Sequence, residues 1–213
     1  MKTQTNSHSG QVVMVMIFLS GFLGIVSQPT HAQDGVENSP KNPQQIAILH
    51  WYDANQTTTF TVGATPTGVV FDGANIWVAN GPGADTLTKL RASDGATLGT
   101  FAVGASPFAV AFDGANIWVT INTASGAGSV TKLRASDGKT LGTFTVGAVP
   151  TSVAFDGADI WVTNQDSNTV TKLRASDGKT LGTFPVGGNS YSVVFDGANI
   201  WVANFLDTTV SKL

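Results

Sequence analysis

The sequence contains no cysteine. A thiol nucleophile, a zinc–thiolate centre, an iron–sulfur cluster and any disulfide framework are therefore excluded together. Histidine is almost as scarce: beyond residue 32 only His50 occurs. Haem, copper and zinc sites built on clustered His are thus unsupported, and so is a Ser-His-Asp set. Of the 14 acidic residues only Glu37 is a glutamate, and the 11 Lys and Arg leave a net charge of −3, with no basic surplus pointing to nucleic acid. Long apolar runs are confined to one, Val12–Ser27. It is interrupted by Ser20, Gly21 and Gly24, and is shorter than the roughly 20 residues that span a bilayer. No window shows the 3.6-residue period of an amphipathic helix.

That apolar run follows Lys2 and precedes Thr30-His31-Ala32, which ends in a small residue suited to a signal peptidase. Residues 1–32 read as a secretory signal peptide, so the chain is expected to be exported to the periplasm, cell surface or extracellular space, with no membrane span after cleavage. Residues 33–45 hold Pro40, Pro43, Asn, Gln and Gly with few apolar side chains, and read as a flexible linker.

What the sequence does have is repetition. FDGANIWV occurs at Phe71–Val78, Phe112–Val119 and Phe195–Val202, with FDGADIWV at Phe155–Val162. The phenylalanines lie 41, 43 and 40 residues apart. Units start near residues 64, 105, 148 and 188, within a repeat region spanning 46–213. In the third unit, Thr151–Phe155, Asp159–Asn164, Val170–Arg174 and Thr180–Val186 are short β-rich runs, here a to d. Asp-Gly closes the a–b and c–d hairpins, because glycine accepts positive φ without a steric penalty. A period near 40 made of four short strands predicts an all-β fold, a β-propeller with one four-stranded blade per repeat.

The repeated residues are read by position. Trp77, Trp118, Trp161 and Trp201 are expected to fill the gaps between blades. The Asp of each FDG (Asp72, Asp113, Asp156, Asp196) is expected to accept hydrogen bonds from turn amides rather than to bind metal. Lys89/Arg91, Lys132/Arg134 and Lys172/Arg174 read as a solvated stripe whose stems cover apolar surface. Gly99, Gly142 and Gly182 in run d suggest a bulge or a close approach.

Ile48–Gly63 aligns without a gap on Lys172–Gly187, so the first part of the repeat region reads as a divergent c–d hairpin, and Leu213 falls within run c. Three outcomes stay open: a four-bladed ring closed by Thr57–Val62 pairing beside the last run c, an arc that pairs with another copy through open blade edges, or a shortened form of a longer propeller. The arc or the shortened form is preferred, because it accounts for the exposed edges.

Trp161-Val162-Thr163-Asn164 carries three of the four letters of the YVTN motif, downstream of VGAVPTSVAFDG at Val146–Gly157. The chain resembles the YVTN family of β-propeller repeats, over essentially all of residues 46–213. The resemblance implies the fold and an exported protein, and specifies no catalytic residue. In blade plan the chain also resembles the virginiamycin B lyase type of propeller, which relies on a histidine with acidic and metal help; no repeat here supplies a His.

The units differ in two sets of loops. The d–a loops read ATPTG, ASPFA, AVPTS and GNSYS, and the b–c loops read NGPGAD, INTASGAG, NQDSN and NFLD. In a propeller these two sets share one face, and loops on a rigid scaffold are where binding sits. Phe108, Tyr191, Phe205 and Leu206, with Asn122, Gln165 and Asp166, are therefore the candidate ligand-binding residues. The expectation is a non-enzymatic binding or scaffold module without a cofactor, whose partner is a protein, a glycan or a cell-envelope component. The alternatives are a propeller enzyme of lyase or hydrolase type and a structural array formed by edge pairing.

Overall fold

The computed structural model describes residues 58–123 and 126–213. The expected signal peptide, the linker, His50 and the part of the N-terminal hairpin before Thr58 lie outside them. The described residues form four antiparallel sheets and no helix. The first sheet contains β1 (Pro66–Phe71), β2 (Asn75–Asn80), β3 (Thr86–Arg91) and β4 (Thr97–Ala102). The second contains β5 (Pro107–Phe112), β6 (Asn116–Ile121), β7 (Ala127–Arg134) and β8 (Thr140–Ala148). The third contains β9 (Pro150–Phe155), β10 (Asp159–Asn164), β11 (Thr169–Arg174) and β12 (Thr180–Pro185). The fourth has three strands, β13 (Ser190–Phe195), β14 (Ile200–Asn204) and β15 (Thr209–Lys212). Strands in each sheet are ordered as in sequence, so every sheet is a meander, one blade per repeat.

The turns fold as their residues demand. Asp72 Oδ1 accepts the amides of Ala74 and Asn75 at 2.9 and 2.7 Å, while Gly73 takes φ +98°. The same carboxylate reaches further than the turn: its Oδ2 accepts the Trp77 indole N–H at 2.8 Å. The bond recurs at Asp113–Trp118, Asp156–Trp161 and Asp196–Trp201. The expected irregularity in run d is present. Register shifts by one residue where Leu90 pairs with Thr97 after Lys89 pairs with Gly99, leaving Leu98 as a bulge.

Each blade has a tryptophan face and an isoleucine–valine face, because side chains alternate along β2, β6 and β10. The tryptophan face of one blade packs on the isoleucine–valine face of the next. Trp77, Ala79, Leu87, Val70 and Phe101 meet Ile117, Val119, Leu133, Val110 and Phe112. Trp118, Val130 and Phe144 meet Val153, Ile160, Val162 and Leu173, and Trp161 and Val170 meet Val193, Ile200 and Val202. Trp77 and Trp118 are fully buried, and each lies tilted on a strand-d phenylalanine, Phe101 at 5.4 Å and Phe144 at 5.7 Å. Burial of such a ring is worth roughly 3 kcal/mol or more on truncation.

One expectation is corrected. The lysines are not a solvated stripe: Lys89 and Lys132 are buried. Lys89 Nζ lies over the Trp77 ring and donates to Ala135 O at 2.7 Å in the next blade. Lys132 does the same over Trp118, donating to Ala175 O at 2.6 Å. Only the arginines face solvent, paired with Asp94, Asp137 and Asp177, an arrangement of small net worth. In the third blade Asp159 replaces the usual Asn, and Lys172 pairs with it at 3.0 Å. Closure is as the preferred reading has it: among the described residues the sheets do not close into a four-bladed ring, the last sheet has three strands, and residues 58–62 form no strand beside β15.

Candidate functional site

The d–a and b–c loops lie together on one face, held by a repeated backbone bond. The first residue after each b strand donates its amide to the d–a loop: Gly81 to Thr65 O, Asn122 to Ser106 O, Gln165 to Val149 O, and Phe205 to Asn189 O, at 2.8–3.1 Å. The four accepting residues all have left-handed φ, between 48° and 58°. Asp85, Asn168 and Thr208 in the b–c loops are left-handed as well, so all seven non-glycine residues with positive φ among those described belong to this face. Backbone conformations of this kind persist only where the surroundings fix them. Side chains add further ties: Asp85 Oδ1 accepts the Ser106 amide at 2.9 Å and Asn168 Oδ1 accepts the Asn189 amide at 2.7 Å. The loops are thus pinned from blade to blade.

Each innermost strand carries an irregularity at its start, where Pro66 pairs with Asn80 and the next partnered residue is Val69. The second and fourth blades shift likewise near Phe108 and Tyr191. A bulge re-aims the residue it holds. At this position the first and third blades have threonines that bond to the neighbouring blade: Thr67 Oγ1 donates to Pro107 O at 3.0 Å, and Thr151 Oγ1 to Tyr191 O at 2.9 Å. The second and fourth blades have aromatics instead, Phe108 and Tyr191.

Five of the seven candidate residues fall into two groups. Phe108 and Asn122 line one cleft of about 310 Å³ with Thr67, Pro82, Ser106 and Pro107. Tyr191 and Phe205 form a tilted ring pair at 6.4 Å, with Phe205 and Leu206 the most exposed large apolar residues of the structure, at 71% and 69%. Gln165 is half-buried and donates to Asn189 Oδ1 at 3.0 Å; Asp166 is exposed. Sequence reasoning missed Thr67, Pro82, Ser106 and Pro107. The proline repeat marked their loop, but which loops meet depends on blade packing.

The opposite face has a wider opening of about 660 Å³, lined by Asp72, Asn75, Lys89, Asn116 and Arg134 among others. Its polar groups are already engaged. Asp72 holds its turn and Trp77, Lys89 bonds to Ala135 O, and Arg134 pairs with Asp137. Burial pushes the carboxyls of Asp72, Asp113 and Asp156 up, and the tryptophan and amide hydrogen bonds outweigh it, so all three lie below the ordinary carboxylate range. Asp196 is held lower still, chiefly by the Trp201 indole. Carboxylates so stabilised are poor proton acceptors. Among the described residues no group of three or more His, Asp or Glu is placed to hold a metal ion.

The stacked meanders have clear counterparts among solved structures. The fold is a β-propeller. A hydrazine synthase from Kuenenia stuttgartiensis matches with a TM-score of 0.63 at 18% identity, over 75% of this chain and 48% of its own. The computationally designed Ika4 protein matches at 0.62 and 14% identity, over 75% of this chain and 98% of its own. The RRP9 WD40 repeats match at 0.57 and 13%, over 72% and 52%. This chain thus spans about half the length of the hydrazine synthase and WD40 chains. Identities this low concern the fold alone. No protein-family model matches the sequence, and no curated protein matches it.

Proposed function

We propose that this chain is an exported β-propeller of the YVTN type that works as a binding or scaffold module, taking a protein, a glycan or another cell-envelope component on its variable-loop face. The observation that carries the reading is the pairing of variable side chains with a fixed backbone. The loops differ from blade to blade, yet each is pinned by the same amide-to-carbonyl bond to a left-handed residue. Exposed Phe205 and Leu206, with Tyr191 beside them, offer apolar anchors, and the Phe108–Asn122 cleft offers a pocket. Aromatic anchors on a rigid frame bind with little entropy loss. Export is supported by the apolar run Val12–Ser27 and Ala32, and the YVTN assignment by Trp161–Asn164 within a 40-residue unit.

The test is binding of the purified chain to envelope proteins and to arrayed glycans, with Phe108, Tyr191 and Phe205 replaced together by Ala. The triple variant should keep its β-sheet circular dichroism and bind at least ~10-fold more weakly, since anchor truncations cost about 2 kcal/mol or more. Equal binding by variant and parent would remove this face as the site.

A further inference from the structure

Charge is divided between the two ends of the blades. The described residues hold nine lysines and arginines, and all nine lie in or beside the a–b and c–d turns. The arginines pair with aspartates of the c–d turns, and Lys139 and Lys179 stand in those turns. The strand-c lysines point the same way, Lys89 and Lys132 to turn carbonyls of the next blade and Lys172 to Asp159. Eight described aspartates share this end, and against nine bases they leave a formal charge of +1. The loop face has the other three, Asp85, Asp166 and Asp207, and among the described residues no lysine or arginine. A six-residue strand is about 20 Å long, and charges more than about 8 Å apart are largely screened at physiological salt. The bases of the turn end therefore do not neutralise the loop face.

One of the three acids stands at the wall of the Phe108 cleft. Asp85 Oδ1 accepts the amide of Ser106, a cleft residue, at 2.9 Å, and among the described residues Oδ2 has no hydrogen-bond partner. The cleft lies between the first two blades, each complete in four strands. It is built before a ligand arrives: Thr67 Oγ1 donates to Pro107 O at 3.0 Å, and the Asn122 amide to Ser106 O at 3.0 Å. Pro82, Pro107 and Phe108 give apolar walls to its 310 Å³ or so. The carboxamide of Asn122 can both donate and accept, as pairing with a peptide backbone requires. An apolar slot beside a free carboxylate oxygen suits an apolar side chain next to a cation.

We propose that the loop face takes a basic polypeptide segment, with an apolar side chain of that segment in the Phe108 cleft and a neighbouring lysine or arginine on Asp85. Asp166 and Asp207 extend the negative field over the third and fourth blades and steer the segment to this face. The proposal rests on the loop face being the binding site, and adds the chemistry of the occupant. An acidic segment is repelled by the same field, and a neutral glycan gains nothing from the division of charge.

The probe is an array of synthetic peptides in which a central Phe, Leu or Pro is flanked by Lys, Gln or Glu, incubated with the full chain. Lysine-flanked peptides should be retained and the Glu set should not. Affinity for the best of them should fall at least ~10-fold between about 50 and 500 mM salt. The variant Asp85→Asn/Asp166→Asn/Asp207→Asn keeps oxygen acceptors for the Ser106 and Gly188 amides and removes the charge. It should keep its β-sheet circular dichroism and bind the same peptide ~10-fold more weakly. Asp94→Asn/Asp137→Asn/Asp177→Asn makes the same change in formal charge at the opposite end and should bind within ~2-fold of the parent. Retention without preference for lysine, or equal losses in the two triple variants, would overturn the basic segment. A neutral glycan lost on Phe108→Ala but held equally by parent and Asp85 triple variant would also overturn it, while leaving the loop face as a binding site. Unchanged binding of every probe after Phe108, Tyr191 and Phe205 are replaced by Ala would instead remove the face itself.

Discussion

Trp118 donates its indole N–H to Asp113 at 2.8 Å, five residues back in the chain, and so ties a surface turn to the packed space between two blades. The ring is fully buried while the carboxylate sits at the rim. One hydrogen bond therefore serves two ends: it satisfies the only polar atom of a buried indole, and it fixes the hairpin that starts strand b.

Replacing Trp118 by Phe keeps much of the apolar volume and removes the donor. The expected loss is about 2 kcal/mol in urea unfolding, the range for a hydrogen bond to a charged partner. Asp113→Asn should lose part of the same bond. The two changes together should cost less than their sum, by at least ~0.5 kcal/mol in a double-mutant cycle. Strict additivity would mean that the bond contributes nothing to stability.

Acid should unfold the protein through these turns. The carboxyls of Asp72, Asp113, Asp156 and Asp196 lie below their ordinary values in the folded state. A group whose folded pKa is depressed contributes stability that is complete above its unfolded value, about 3.9, and is lost as pH falls toward the folded value. The urea midpoint is expected to be flat from pH 5 to 7 with respect to these groups and to drop below about pH 4. A midpoint unchanged down to pH 3 would contradict the assignment.

Val149 holds a left-handed conformation, φ 53°, that a β-branched side chain resists. The same loop position in the fourth blade is Asn189, which tolerates that region. Val149→Asn should raise stability by about 1 kcal/mol, read as a higher urea midpoint with unchanged slope. A lower midpoint would show that the half-buried valine contributes more by packing than it costs in backbone strain.

Much of the fold was legible because its signals are local. Asp-Gly at each hairpin, the two-residue alternation of IWV and the interrupting Gly of LGTF each specify their own segment, and the strands of the third blade begin and end within one residue of the predicted runs. What was not legible crosses from one blade to another. Lys89 read as a solvated residue because nothing near it in sequence shows that Ala135 O lies 2.7 Å from its Nζ. Likewise, Phe108 and Asn122 were picked out as loop residues of one unit, whereas the cleft they line is completed by Thr67 and Pro82 of the unit before. Tyr191 and Phe205 were named from two different loops, and only the fold shows that their rings lie 6.4 Å apart.

The sequence by itself determined the repeat, the turns and the alternation of the strands, since these follow from backbone preferences and side-chain period within a few residues. Only the tertiary structure decided which copy of each side chain is covered. Val69 and Val153 occupy the same place in nearly the same words of sequence, yet one is 64% exposed and the other 8%. Burial belongs to the neighbours of a residue and not to the residue, so identical repeats become different surfaces according to where in the row they stand.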